Sequence, residues 1–195
     1  EKFNPKHISS HFSKQTTPFW KLGKHKEIAT DTAVLKQNSW YAEAMKRIEE
    51  MEYEIKYDAA IKTYASPNRR QNLRSFYSGK KFTLQERDNH SDNWLLELTT
   101  KGVFANNRLL YSPDEKAGAS QNGNSIRFYH NNFYTEYINS KEGIRQNFII
   151  EKKPGGSTSN LSIQLSANKN WYINKVHDKE LHFAKGSCGA LQLFR

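Results

Sequence analysis

From Phe128 to Ala184 apolar and polar positions alternate in short runs, and turn residues interrupt them about every ten positions. Leu161, Ile163 and Leu165 alternate with Ser162, Gln164 and Ser166, which gives that strand one wet face. Phe133–Asn139, Ile144–Ile150, Trp171–Val176 and Glu180–Phe183 follow the same pattern, with a five-residue hairpin loop at Asn139–Gly143. Upstream, strands are predicted at Leu73–Tyr77, Lys81–Gln85, Trp94–Thr99, Val103-Phe104, Leu109–Tyr111 and Ser125–His130. Asn106-Asn107 reads as a turn and residues 112–124 as a loop. So many short antiparallel strands are most simply held in two packed sheets, so the fold class is mainly β and sandwich-like.

One segment has a different period. Trp40, Ala44, Ile48, Met51 and Ile55 recur at three- and four-residue spacing and predict an amphipathic helix over residues 39–57, with Asn38 or Ser39 as its cap. Glu43–Arg47, Lys46–Glu50 and Glu52–Lys56 are opposite charges four apart on its wet faces. Such a helix is expected to cover a sheet or an edge, a partner-binding role being the alternative. Ser66-Pro67-Asn68, just after it, reads as a turn. Residues 1–37 read as a basic extended strap: Pro5 and Pro18 break helices, and the six lysines before residue 28 face only Glu1 and Glu27. Phe19-Trp20 is its candidate docking point. Residues 38–185 form the helix-plus-sandwich domain. Residues 186–195 read as an atypical tail, out of frame or vector-like, on a truncated chain; a genuine last strand at Leu191–Phe194 is the alternative.

Composition supports a folded chain with an aromatic core. Hydrophobic residues make up 36% and aromatics 13%, and disordered chains are poor in aromatics. The net charge is +10 and the pI near 9.6, which favours acidic partners in principle. The excess is spread, however, at net +4 over residues 1–98 and +6 over residues 99–195, so a concentrated polyanion site is not indicated. A single cysteine, Cys188, makes neither an intrachain disulfide nor a zinc cluster. No apolar run is long enough to span a membrane as a helix. One cysteine fits either a reducing compartment or an exported bacterial protein without disulfides. The chain opens on Glu1 without a Met, which fits a signal peptide either removed or left out of the sequence, and a secreted or cell-surface protein is the expectation.

A family resemblance sharpens that expectation. Glu136-Tyr137-Ile138, the run Glu142–Ile150, Pro154-Gly155-Gly156 and Leu161–Leu165 follow one another as a tyrosine strand, a Gly-Ile turn, an aromatic strand, a Pro-Gly loop and an alternating strand. With Trp40-Tyr41 and the segment Pro67–Arg74, this resembles the β-rich N-terminal region of large secreted Bacteroidota-type surface proteins. Some of these carry propeller-like repeats and many end in a type IX sorting domain. The resemblance covers most of residues 38–185 and implies a non-catalytic module for adhesion, scaffolding or domain presentation. Other domains of a larger surface protein are the implied partners. It implies no catalytic residues.

The residues themselves offer little reaction chemistry. His7 and His11 sit in the strap, and His177 to His182 read as a solvated hairpin tip rather than a metal site. Cys188 has no companion that marks it as a nucleophile, no Gly-x-Ser-x-Gly elbow occurs, and Ser78-Gly79-Lys80-Lys81 lacks the glycine spacing of a phosphate loop. No enzyme activity, cofactor or metal is expected. Carbohydrate binding is the runner-up: Trp94, Tyr129, Tyr134, Trp171 and Tyr172 can stack on sugar rings beside Asn131, Asn132, Asn168 and Asn170, although core positions are the plainer reading of most of these aromatics. Arg69, Arg70 and Arg74, with Lys80 and Lys81, are the densest basic run and suit a polyanion or nucleic acid, against the plainer reading of a solvated turn.

Overall fold

The computed structural model describes residues 39–88, 94–155, 160–177, 180–185 and 188–194. The strap, Phe19-Trp20 and the capping residue Asn38 lie outside the described residues. One helix, α1 (Ser39–Met51), is followed by β1 (Lys56–Asp58), β2 (Thr63–Asn68), β3 (Leu73–Tyr77), β4 (Lys81–Glu86), β5 (Leu95–Ala105) and β6 (Arg108–Tyr111). Then come β7 (Gly118–Asn122), β8 (Ser125–Tyr129), β9 (Tyr134–Ser140), β10 (Gly143–Ile149), β11 (Leu161–Ala167), β12 (Trp171–His177), β13 (Glu180–Lys185) and β14 (Cys188–Phe194). Every pairing is antiparallel: a seven-stranded sheet β1-β2-β3-β4-β5-β11 with β6 also on β5, a four-stranded sheet β10-β9-β8-β7, and a three-stranded sheet β12-β13-β14. The mainly-β, sandwich-like expectation holds.

The two larger sheets meet through the inward faces of their strands. Tyr77, Phe82, Leu84, Leu96 and Leu98 from the first share one core with Ile126, Phe128, Tyr137 and Ile144 from the second. Aromatic rings bridge the layers, with Phe82 on Tyr137 at 5.1 Å, Tyr77 on Tyr137 at 5.2 Å and Tyr64 edge-on to Phe128 at 6.1 Å. Each such pair adds about 0.5–1.5 kcal/mol to the burial term. The long strand β5 serves β4 with its first half and β6 and β11 with its second. A bulge at Lys101-Gly102 permits this: β11 pairs Gln164 with Gly102 but Leu165 with Thr100. Gly102 has φ +148, and a Cβ there would lie 2.6 Å from both the Leu109 side chain and the Tyr111 carbonyl oxygen.

Four strands exceed the sequence expectation, each for a readable reason. The helix stops at Met51 rather than at residue 57 because the next residues are held from across the molecule. The Ile55 N–H bonds the Gly123 carbonyl at 3.0 Å, and the Ile55 side chain is fully buried in the core. Lys56–Asp58 is thereby freed to pair as β1. Ser66-Pro67-Asn68 is not a turn but the end of β2. Pro67 is tolerated because β1 reaches only as far as Ala65, so its ring nitrogen lies on the side where no strand asks for a donor. β7, all exposed and without a large apolar residue, exists only by pairing with β8. Cys188–Phe194 pairs with β13, so this part of the tail is a strand. The Asn139–Gly143 loop contracts to Lys141-Glu142, since Asn139 and Ser140 remain paired with β10. No residue of α1 is buried, contrary to the expected apolar seam: Trp40, Ile48 and Met51 are exposed. Glu43–Arg47 and Lys46–Glu50 pair as expected, whereas Glu52 pairs with Arg69 and Lys56 with Glu54.

A buried amide cluster ties these elements together. The Asn139 Nδ2 donates to the carbonyls of Tyr53 (2.9 Å) and Pro67 (2.8 Å) and to Ser66 Oγ (3.1 Å), while its Oδ1 accepts from Asn68 Nδ2 at 2.8 Å. Asn68 Nδ2 also donates to the Ser140 carbonyl, and Asn68 Oδ1 accepts the Gln71 N–H. Both side chains are fully buried. Asn139→Asp keeps the shape but turns an acceptor toward two carbonyls, and should cost about 3 kcal/mol or more. Urea unfolding measures this, and a midpoint equal to the parent's would show that the amide is dispensable. The aromatic core has its own signature. Burial pushes the Tyr77 phenol from 10.0 up to about 12 against the opposing bond to Ser66, and burial raises Tyr137 as well. An unfolded tyrosine ionises near pH 10, so this stability is complete below about pH 10 and is lost as the pH climbs toward 12. Tyrosinate absorbance should show two tyrosines ionising only as the fold is lost.

Candidate binding face

The outward residues of the four-stranded sheet form an ordered ladder. Along β8 and β9 burial alternates strictly, placing Ile126, Phe128, Thr135, Tyr137 and Asn139 inside and Arg127, Tyr129, Tyr134 and Glu136 outside. Register sets Tyr129 opposite Tyr134 and Arg127 opposite Glu136, with Asn147 beyond Glu136 on β10. The tyrosine rings are 5.7 Å apart and inclined at 42°. Arg127 Cζ lies 5.2 Å from the Tyr134 ring centre, and its Nε donates to Glu136 Oε1 at 2.7 Å. Burial alone would raise the Glu136 carboxyl, but hydrogen bonds from Arg127 and Asn147 and the charges of Arg127 and Arg145 outweigh it and hold the group below its usual range. Beside Tyr129 on the edge strand stands Gly118, with open space where a Cβ would be.

The hairpin joining β8 to β9 closes this face at one end. The His130 N–H bonds the Phe133 carbonyl at 2.9 Å, and the two rings lie 4.4 Å apart. The His130 Nδ1 accepts the backbone N–H of Asp114 at 3.0 Å, so in the neutral ring Nε2 carries the proton and faces Thr135 Oγ1 at 3.4 Å. Asn131 and Asn132 are thus left at the tip. An open cleft of about 200 Å³ runs between Tyr111, Tyr129, Asn131, Asn132, Tyr134, Glu151 and Lys152 over the His130–Phe133 floor. That is below the roughly 300–1,000 Å³ of an enclosed small-molecule pocket, and suits a ligand lying across a surface.

The other sequence candidates are dispersed. Trp94 and Trp171 pack edge to face at 6.1 Å against the core, and Trp171 Nε1 is spent on the Leu95 carbonyl at 2.9 Å. Tyr172 is 64% exposed, on the face of β12 opposite Trp171. Asn168 bonds both the N–H of Glu97 and the carbonyl of Leu95, and Asn170 supplies a turn at φ +77. Arg69 and Arg70 lie at the β2–β3 hairpin and line a groove of about 670 Å³ beside α1 with Met45, Ile48 and Tyr53. Arg74 stands apart on β3, exposed between Pro67 and Gln85. Lys80 and Lys81 pair with Glu115 and Glu97, and Arg69 with Glu52, so three of the five cations of the basic run have a carboxylate partner. His182 bonds Glu180 at 3.1 Å, and among the described residues no three His, Cys, Asp or Glu side chains converge as metal ligands. His7 and His11 lie outside the described residues.

Burial pushes the His130 imidazole below its ordinary value, the Asp114 carboxylate opposing only partly. The unfolded chain therefore takes up this proton first, so His130 favours the fold above about pH 6.5 and the stability is lost as the pH falls toward its lower folded value. His130→Asn keeps an acceptor for the Asp114 N–H and removes the titration. Its unfolding free energy should fall less steeply between about pH 6.5 and 5 than the parent's; parallel slopes in urea titrations at both ends would refute the assignment.

Compared with protein-family models, with curated proteins and with solved structures, the chain gives no match.

Proposed function

We propose that this protein is a non-catalytic recognition module of an exported or cell-surface protein, serving adhesion or the presentation of neighbouring domains. The observation that carries the reading is the outer face of β7–β10. There a tyrosine pair and an oriented arginine–glutamate–asparagine ladder are held on paired strands, and the short hairpin that joins two of those strands carries two exposed amide side chains at its tip. Rigid sheet positions with aromatic anchors lose little entropy on binding, which favours a recognition surface. The buried polar side chains Asn68, Asn139, Ser66 and His130 are engaged in holding the fold together, which is the use a structural module makes of them. The exported setting rests on the sequence resemblance to secreted surface proteins.

A turnover screen tests the reading. The full chain, offered chromogenic esters, phosphomonoesters and aryl glycosides, is expected to release no more product than the same chain unfolded by heat. A turnover abolished by one polar substitution that spares the fold, such as Glu151→Gln in the cleft, would overturn it.

A further inference from the structure

Resting on the reading of this face as a recognition surface, we infer that it binds a neutral oligosaccharide, with successive sugar rings lying on Tyr129 and Tyr134 and their hydroxyls met by Asn131, Asn132 and Glu151. A pyranose has C–H groups on its ring faces and hydroxyls around its rim. The faces match an aromatic surface, and the rim needs donors and acceptors in one plane. The cleft supplies both: each Asn amide donates and accepts, Glu151 accepts and Lys152 donates. The two tyrosines are offset by 5.7 Å and inclined at 42°. This stepped arrangement suits consecutive sugar units of a twisted chain and not one flat ring.

Three features hold the platform ready. Arg127 stacks on Tyr134 and is fastened by Glu136, so that ring is positioned before any ligand arrives. His130 on Phe133 closes the hairpin beneath the two amides. Gly118 leaves the flank of Tyr129 uncovered, and Tyr129 is 47% exposed. Charge selects against a polyanion here despite the net +10 of the chain. Glu151 offsets Lys152 in the cleft, and Arg127 is already paired.

Isothermal titration of the full chain with cellohexaose, laminarihexaose, xylohexaose and mannohexaose tests the inference. At least one should bind, and Tyr129→Ala and Tyr134→Ala should each weaken it roughly tenfold. Tyr172→Ala, on another sheet, should leave binding unchanged. Should either tyrosine variant unfold, the double variant Asn131→Ala/Asn132→Ala at the exposed hairpin tip takes its place, with the same loss expected. Binding that survives these substitutions would place the saccharide elsewhere and overturn the site. Failure of all four hexasaccharides to bind overturns the inference, whether or not heparin binds with a steep salt dependence. The recognition reading would be untouched, since it stands or falls on the turnover screen.

Discussion

The side-chain amide of Asn139 joins three separate parts of the chain at one buried point. It reaches the carbonyl that follows the helix, the end of β2 and the Asn68 amide in one buried cluster. A backbone carbonyl buried without a donor costs about 1–3 kcal/mol, so Tyr53, Pro67 and Ser140 would each destabilise the interior if the two asparagines were absent. The cluster also specifies geometry. An apolar side chain would accept many registers between the two sheets, whereas an amide with donors and an acceptor assigned to named partners accepts one.

That constraint propagates outward through strand alternation. With Asn139 and Tyr137 turned inward, Glu136 and Tyr134 must face out, and the β8–β9 register then places Arg127 and Tyr129 beside them. A slip of one residue would bury Glu136 and Arg127 and expose the core aromatics. The candidate binding face is therefore the reverse side of the packing that stabilises the sandwich. His130 connects the two as well, since its burial and its bond to Asp114 hold the hairpin that carries Asn131 and Asn132.

Much of the β pattern could be read locally. β3, β4 and β8 to β13 fall close to where alternation and turn residues put them. In β3, β4, β8 and β9 the alternation marks a buried face, whereas in β11 and β12 the alternating apolar residues Leu161, Leu165 and Ile173 stay exposed. β7 declares nothing: its five residues carry no large apolar side chain and its strand character comes from its neighbour. Pro67 misled because a proline in a strand is admissible only where the adjoining strand has ended, and that length belongs to β1. Among the candidate ligand residues, Tyr129, Tyr134, Asn131 and Asn132 converge. Trp94 and Trp171 are drawn toward the core by the larger area they bury, and their pattern in the chain looked the same.

By itself the sequence determined the class of the fold, its aromatic interior and the position of most strands. These follow from the spacing of apolar side chains, which is a local property of the backbone period. The tertiary structure decided where the helix ends, how the strands are shared among three sheets and which polar residues are interior. It also decided which aromatics stand together on an outer face. Each of those depends on a partner far along the chain, as when Ile55 meets Gly123 or Asn68 meets Asn139, and no local period encodes such a meeting.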